Sequence, residues 1–317
     1  MQQGLVIVKT RSSRFFVGDF ETTVYKGQTR TEVWASACVE LYTEDVKIFH
    51  SIEEQMEYFE GLKCNIICYY HNLKFDGEFW LSYLFFSGKY KHGIEQADDN
   101  DINTITMKNP WDLKSREFTY SISKMGQWYK ITVKNGDYTI EFRDSLKLLP
   151  FSVKKIGKSF GTKHKKLDME YVGLRYAGCE ITDEERKYIE NDVLVVKEAV
   201  EIMYNEGHSK LTIGSCCLTE YKRIVGRYDY KNMFPNIYNY SLDFETYGAS
   251  NAGEYVRKSY KGGWCYVVKG KEKKIKHNGT TADVNSLYPS MMHSESGNIY
   301  PFGKPNFWKG AIPTKAI

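Results

Sequence analysis

The chain has 317 residues, 42% hydrophobic and 15% aromatic, enough to fill a core in each of two domains. With 26% charged residues, 7 prolines and no apolar run near the roughly 18 residues that cross a bilayer, its composition excludes a disordered, fibrous or membrane-spanning chain. The balance of 44 Lys+Arg against 40 Asp+Glu leaves +4, too mild by itself to mark a nucleic-acid binder. Met1-Gln2-Gln3-Gly4-Leu5 lacks a secretory pattern, and seven cysteines without a Cys-x-x-Cys pair argue against a disulfide framework or a zinc site. A reducing, cytoplasmic setting is expected.

Residues 14–20 and 33–41 read as strands, and Ser51 with Glu54 as a capping box opening a helix to about Phe59. The apolar run Cys64–Tyr70 is short enough for a buried parallel strand, followed by a helix from about Phe75 to Phe86 that stops at Gly88. Residues 89–112 read as a polar insertion holding the acidic cluster Glu95, Asp98, Asp99 and Asp101. Two or more strands then fill 116–143, with Asn135-Gly136 as the hairpin turn. Six lysines lie between Lys154 and Lys166, a run that fits a solvated face as well as a nucleic-acid contact. Thr182 and Glu185 form a second capping box, and Ile189, Val193, Val196, Val200 and Met203 mark one face of a helix ending at Gly207. This order predicts a mixed α/β domain over about 1–210. A further helix begins near Ser215, and strands are expected at 252–268 and 274–284 around a Lys-rich turn at 269–273.

The chemistry starts at Asp19-Phe20-Glu21. On a strand the two carboxylates share a face while Phe20 turns to the other. Adjacent like charges resist ionising together unless a cation lies between them, and hard oxygen ligands suit Mg²⁺. The pair alone also fits an exposed strand. Asp76 sits just past the C-terminal end of an apolar strand, where α/β sheets carry their sites, and Tyr188 and Asp192 share a helix face at i, i+4. Asp19, Glu21, Asp76 and Asp192 together could hold two metals about 3.5–4 Å apart, the arrangement that cleaves phosphodiesters. Tyr188 would orient a water, since a phenol does not ionise near neutral pH. Phe75 and Phe79 share a helix face beside Asp76, where a terminal base could stack; core packing is the alternative, above all for Phe79.

Asp19-Phe20-Glu21-Thr22, His71-Asn72-Leu73-Lys74-Phe75-Asp76-Gly77 and Tyr188-x-x-x-Asp192 resemble the three motifs of DEDDy 3′→5′ exonucleases. They look closest to the proofreading domain of protein-primed family B DNA polymerases of small tailed phages and linear plasmids. Met125-Gly126-Gln127-Trp128-Tyr129, Asp144-Ser145-Leu146-Lys147, Tyr260-Lys261-Gly262-Gly263 and Asp283-Val284-Asn285-Ser286-Leu287-Tyr288-Pro289 extend the likeness, which runs from about 14 to about 305. The resemblance implies an α/β, ribonuclease H-like exonuclease domain with a mixed sheet over 1–212, then the beginning of an α+β polymerase palm over 213–317. It implies Asp19, Glu21, Asp76 and Asp192 as ligands of two Mg²⁺ or Mn²⁺ ions, with Tyr188 and Lys166 assisting. It also implies Thr22, His71, Asn72, Phe75, Phe79, Ser145, Leu146 and Tyr171 as contacts to single-stranded DNA.

In the second unit, the resemblance makes Tyr260, Gly262 and Gly263 DNA contacts, Asp283 a polymerase metal ligand and Tyr288 the residue under the incoming sugar. A β-bulge is the other reading of the glycine pair. The expected partners are single-stranded and primer-template DNA, a dNTP in the full-length enzyme and a terminal (primer) protein, in the host cytoplasm if the gene is a phage's. The family's Lys-x-x-x-Asn-Ser-x-Tyr-Gly and Asp-Thr-Asp patterns do not occur in these residues, so an incomplete polymerase site is expected. A stand-alone DEDDy exonuclease and a non-catalytic remnant binding DNA or the primer protein are the alternatives.

Overall fold

The computed structural model describes residues 13–96, 105–169, 174–263, 265–273, 278–280, 282–308 and 310–311. The chain divides into two compact units, residues 1–218 and 219–317. In the first, β1 (Ser13–Thr22), β2 (Val33–Glu40), β3 (Val46–Phe49), α1 (Ile52–Gly61), β4 (Asn65–Tyr70) and α2 (Leu73–Phe86) follow in order. Next come the short β5 (Lys91–His92), β6 (Ile94–Gln96) and β7 (Ile105–Met107), then β8 (Glu117–Ile122), β9 (Trp128–Asn135) and β10 (Tyr138–Asp144). Helices α3 (Val153–Ser159) and α4 (Asp183–Asn205) complete the list, and α5 (Ile213–Val225) runs across the boundary at residue 218.

Eight strands form one sheet in the order β3-β2-β1-β4-β10-β9-β8-β5. Strand β4 runs parallel to both β1 and β10, while β2, β3, β8 and β9 add antiparallel pairings. Side-chain alternation separates two cores. Val17 and Tyr69 face the layer of Val193, Val196 and Val200 from α4, whereas Phe16, Phe20, Cys68 and Tyr70 face Met56 and Phe59 of α1 and Trp80 of α2. Trp80 stacks on Phe142 of β10 with ring centroids 4.0 Å apart.

The Thr182 capping box closes in both directions. At Ser51 only half of the box forms: Ser51 accepts the Glu54 N–H, but the Glu54 carboxylate takes the N–H of His50 instead. The β9–β10 turn is shifted by one residue from the expected Asn135-Gly136. Asn135 pairs with Tyr138, so the loop is Gly136-Asp137, with Gly136 supplying the positive φ of 55°. Within 89–112, β6 and β7 pair as a small hairpin with Glu95 exposed; Asp98, Asp99 and Asp101 lie outside the described residues.

The second unit holds α6 (Arg227–Met233), α7 (Phe244–Tyr247), α8 (Ala252–Ser259) and α9 (Leu287–Met292). The strands expected at 252–268 and 274–284 are absent among the described residues. Asn251 accepts the Glu254 N–H at 2.9 Å while Glu254 accepts the Ser250 N–H, and this start commits 252–259 to a helix. The described parts of 260–284 form no ladder, so Gly262-Gly263 is not a bulge. No helix among the described residues is long and apolar enough to cross a membrane.

Candidate active site

The parallel strands end together: Tyr70 of β4 pairs with Gly18 of β1 on one side and Asp144 of β10 on the other. Strand β1 alone continues, held by β2 through Phe20–Ser36 and Glu21–Ala35, so Asp19 and Glu21 stand clear of the β4 terminus. Gly18 is required here, because a Cβ would lie 2.8 Å from the Tyr70 ring. Asp19 and Glu21 share the Val17 face, toward α4, and α4 presents Asp192. Carboxylate oxygens of Asp19, Glu21 and Asp192 lie within 4.8 Å of one another. Asp76, in the first turn of α2, is buried and couples electrostatically to Asp19, but it is not part of that triad.

Crowding these acids perturbs them. Burial, and then the charge of Asp192, pushes the Asp19 carboxyl up to about 7, against the pull of Lys166 and of the Phe20 N–H that Asp19 accepts at 3.0 Å. Asp76 is driven well above the carboxylate range by burial and then by Asp19. Burial also raises Asp192, opposed by a bond from the Lys166 ammonium. Burial would lower Lys166, yet its bond to Asp192 and its 3.2 Å contact with the Tyr188 hydroxyl hold it in the charged form. The Tyr188 phenol is raised by burial and by Asp192, which keeps it protonated.

A divalent cation fits this donor set. Oδ1 of Asp76 and Oδ1 of Asp192 are buried with no hydrogen-bond partner, a costly state for a carboxylate that a hard cation would relieve. A cavity of about 200 Å³ lined by Gly18, Asp19, His71, Lys166 and Asp192 opens beside the triad.

Around this centre, His71 is pinned at both nitrogens. Nε2 lies 2.7 Å from the Phe151 carbonyl and Nδ1 3.0 Å from the Ser145 hydroxyl, and burial depresses its pKa. Asn72 adopts the left-handed conformation at φ 71° with its side chain exposed. Phe75 is 47% exposed, whereas Phe79 is half-buried, edge-on to Phe75 at 5.4 Å and against Phe20 at 6.3 Å. Phe79 is therefore largely a core residue that supports Phe75. Thr22 and Leu146 are half-buried and Ser145 is buried; Tyr171 lies outside the described residues. Tyr260, Gly262, Gly263, Asp283 and Tyr288 belong to the second unit and are all exposed, with Asp283 outside any strand and Tyr288 on α9.

Sequence reasoning assigned no role to two features of the site. Asp144, buried at the end of β10, accepts backbone N–H groups from two segments; the signal was an Asp closing a strand just before Ser-Leu-Lys. Gly77 is the other, since a Cβ there would meet the Trp128 ring at 2.7 Å, and Trp128 lies within the Met-Gly-Gln-Trp-Tyr stretch.

The family of DNA polymerases type B, organellar and viral, matches residues 62–179 and 175–316. The chain belongs to that family. It is 36% identical over 310 residues to the DNA polymerase of Bacillus phage Nf, covering 94% of this chain and 47% of that one. Among solved structures it is similar to phi29 DNA polymerase complexed with primer-template DNA, with a TM-score of 0.74 at 30% identity over 96% of this chain and 49% of that one. It also matches phi29 DNA polymerase complexed with single-stranded DNA, with a TM-score of 0.61 at 31% identity over 81% and 41%. The chain thus spans about half the length of the curated relatives it matches. Polymerases of this family use divalent metals, and the Asp19–Glu21–Asp192 triad is the candidate acidic cluster for them here.

Proposed function

We propose that this chain is the N-terminal part of a protein-primed type B DNA polymerase and that its first unit is the 3′→5′ proofreading exonuclease. The observation that carries the reading is the carboxylate triad of Asp19, Glu21 and Asp192, with two buried oxygens, on Asp76 and Asp192, lacking hydrogen-bond partners. Asp19, Glu21 and Asp192 would hold one Mg²⁺ or Mn²⁺ ion, and Asp76 with Asp19 a second. Two such cations lower the pKa of a water and neutralise charge on the leaving oxygen. The protein groups do the rest. The Tyr188 hydroxyl, protonated and 3.2 Å from Lys166, orients the attacking water, and the Lys166 ammonium offsets charge on the scissile phosphate. The exposed Phe75 ring receives the terminal base by stacking, backed by Phe79. Thr22, His71, Asn72, Ser145, Leu146 and Tyr171 fix the strand.

Residues 1–212 form the exonuclease domain in this reading and 213–317 the start of the palm. Tyr260, Gly262 and Gly263 would contact DNA, while Asp283 and Tyr288 would serve metal and dNTP in the full-length enzyme, which a terminal protein primes. The phi29 polymerase structures with single-stranded and primer-template DNA support DNA as the substrate. The test is release of nucleoside monophosphates from a 5′-labelled single-stranded oligonucleotide in Mg²⁺. The chain should shorten it from the 3′ end, and Asp19→Ala with Glu21→Ala should slow this by at least about 10³-fold. Equal rates for parent and double variant would overturn the assignment.

A further inference from the structure

The residue that fixes this site's geometry is not one of its ligands. Helix α2 carries Asp76 and starts at Leu73, so Asn72 occupies its N-cap position. An Asn there normally accepts a hydrogen bond from the helix start. Here its backbone is left-handed and its side chain makes no capping bond, and the residue is exposed. The missing cap comes from 71 residues away: Oδ1 of buried Asp144 accepts the Leu73 N–H at 3.2 Å. The same oxygen accepts the Leu146 N–H at 3.0 Å and so closes the 3₁₀ turn Ser145–Lys147. Oδ2 lies 3.7 Å from the Lys147 ammonium, which donates to Gln127 at 2.6 Å. One buried carboxylate thus ties the first turn of α2 and the turn after β10 to a common point.

We propose that Asp144 is a positioning residue for the exonuclease site. By capping α2 in place of Asn72 it releases the Asn72 carboxamide to face a DNA strand, and it sets the depth at which Asp76 meets Asp19. Through Leu146 it also sets the segment whose Ser145 hydroxyl lies 3.0 Å from His71. The inference rests on the exonuclease reading above.

The experiment compares parent, Asp144→Asn, Asp144→Ala and Asn72→Ala in the full chain. Three quantities are measured well below the melting temperature: kcat and KM on a single-stranded oligonucleotide, anisotropy of a fluorescent oligonucleotide in EDTA, and Mn²⁺ affinity by calorimetry. Asn keeps an Oδ1 acceptor for both N–H groups, so Asp144→Asn should stay within about 3-fold of parent throughout. Asp144→Ala should lower kcat about 10²-fold, the cost of roughly an ångström of misplacement, and weaken Mn²⁺ and oligonucleotide binding together. Asn72→Ala should raise KM and leave Mn²⁺ affinity alone. A role in folding alone would lower the melting temperature of Asp144→Ala while leaving kcat and Mn²⁺ affinity of the folded protein at parent values, and that result overturns the proposal. If Asp144→Ala does not fold, Asp144→Glu moves the acceptor by one methylene and should lower kcat about 10-fold; parent kcat for Glu is equally fatal. If the parent itself leaves DNA intact, or Asp19→Ala with Glu21→Ala digests as fast as parent, the exonuclease reading fails instead.

Discussion

Removing a charge from the site should stabilise the metal-free protein. Asp19 has its carboxyl pushed from the ordinary 3.8 to about 7, chiefly by burial and by Asp192. The folded state therefore takes up this proton more readily than the unfolded chain. Folding bears no penalty from Asp19 below about pH 4, a growing one as pH rises, and the full one above about pH 7. A gap of roughly three pH units corresponds to at most about 4 kcal/mol, shared among the interacting carboxyls. Asp19→Asn keeps an oxygen for the Phe20 N–H and discards the charge. For a unit of about 200 residues each kcal/mol moves Tm by about 2–4 °C, so the variant should melt several degrees above parent at pH 8 in EDTA and level with it near pH 4. Thermal unfolding by circular dichroism across this range is the assay. Adding Mg²⁺ should reverse the order, because only the parent retains the ligand. A variant no more stable than parent at pH 8 in EDTA would refute the picture of carboxylates held together against their repulsion.

Other substitutions separate roles within the site. Tyr188→Phe should slow 3′-end release by about 10²-fold in single-turnover assays, less than Asp192→Ala, because in the proposed site the phenol would position water while Asp192 would hold a cation; equal losses would contradict this division. Phe75→Ala removes a half-exposed ring, so Tm should barely change while oligonucleotide affinity in EDTA falls about 10-fold; unaltered anisotropy would argue against stacking. Gly77→Ala drives a methyl into the Trp128 ring and should cost about 1–3 kcal/mol, with a matching loss of kcat as the turn bearing Asp76 shifts. An unchanged Tm would mean the ring yields freely.

The first unit was legible because its signals are periodic and local. Alternation on β1 placed Asp19 and Glu21 on one face, and the 3.6-residue repeat on α4 brought Tyr188 and Asp192 to the same side. The Asn135-Gly136 pair marked a hairpin, although the register moved its turn on by one residue. What escaped was non-local. Nothing in the sequence near Leu73 shows that its N–H is met by Asp144, or that Gly77 is small to admit Trp128. In the second unit, β-favouring Tyr266-Val267-Val268 suggested strands, but a strand needs a neighbour and these residues have none among those described. Over 252–259, where a strand was expected, the capping pattern Asn251-x-x-Glu254 starts a helix instead.

The four carboxylates come from three separate elements, β1, α2 and α4, and this distribution explains how so unfavourable a cluster persists. A flexible segment would let Asp76 and Asp19 move apart and relieve their repulsion. Here each is anchored by packing that its own carboxylate does not influence. Phe20, between the two β1 acids, is wedged against Tyr70 and Trp80, and Asp192 adjoins Val193, buried in the opposite core with Val17. The two cores on either side of one sheet offset the electrostatic cost at its end. Because no element contributes more than two of the four carboxylates, the arrangement exists only in the folded unit, and a cation that binds there at free concentration c would stabilise the fold by RT ln(1 + c/Kd), with no competing site in the unfolded chain.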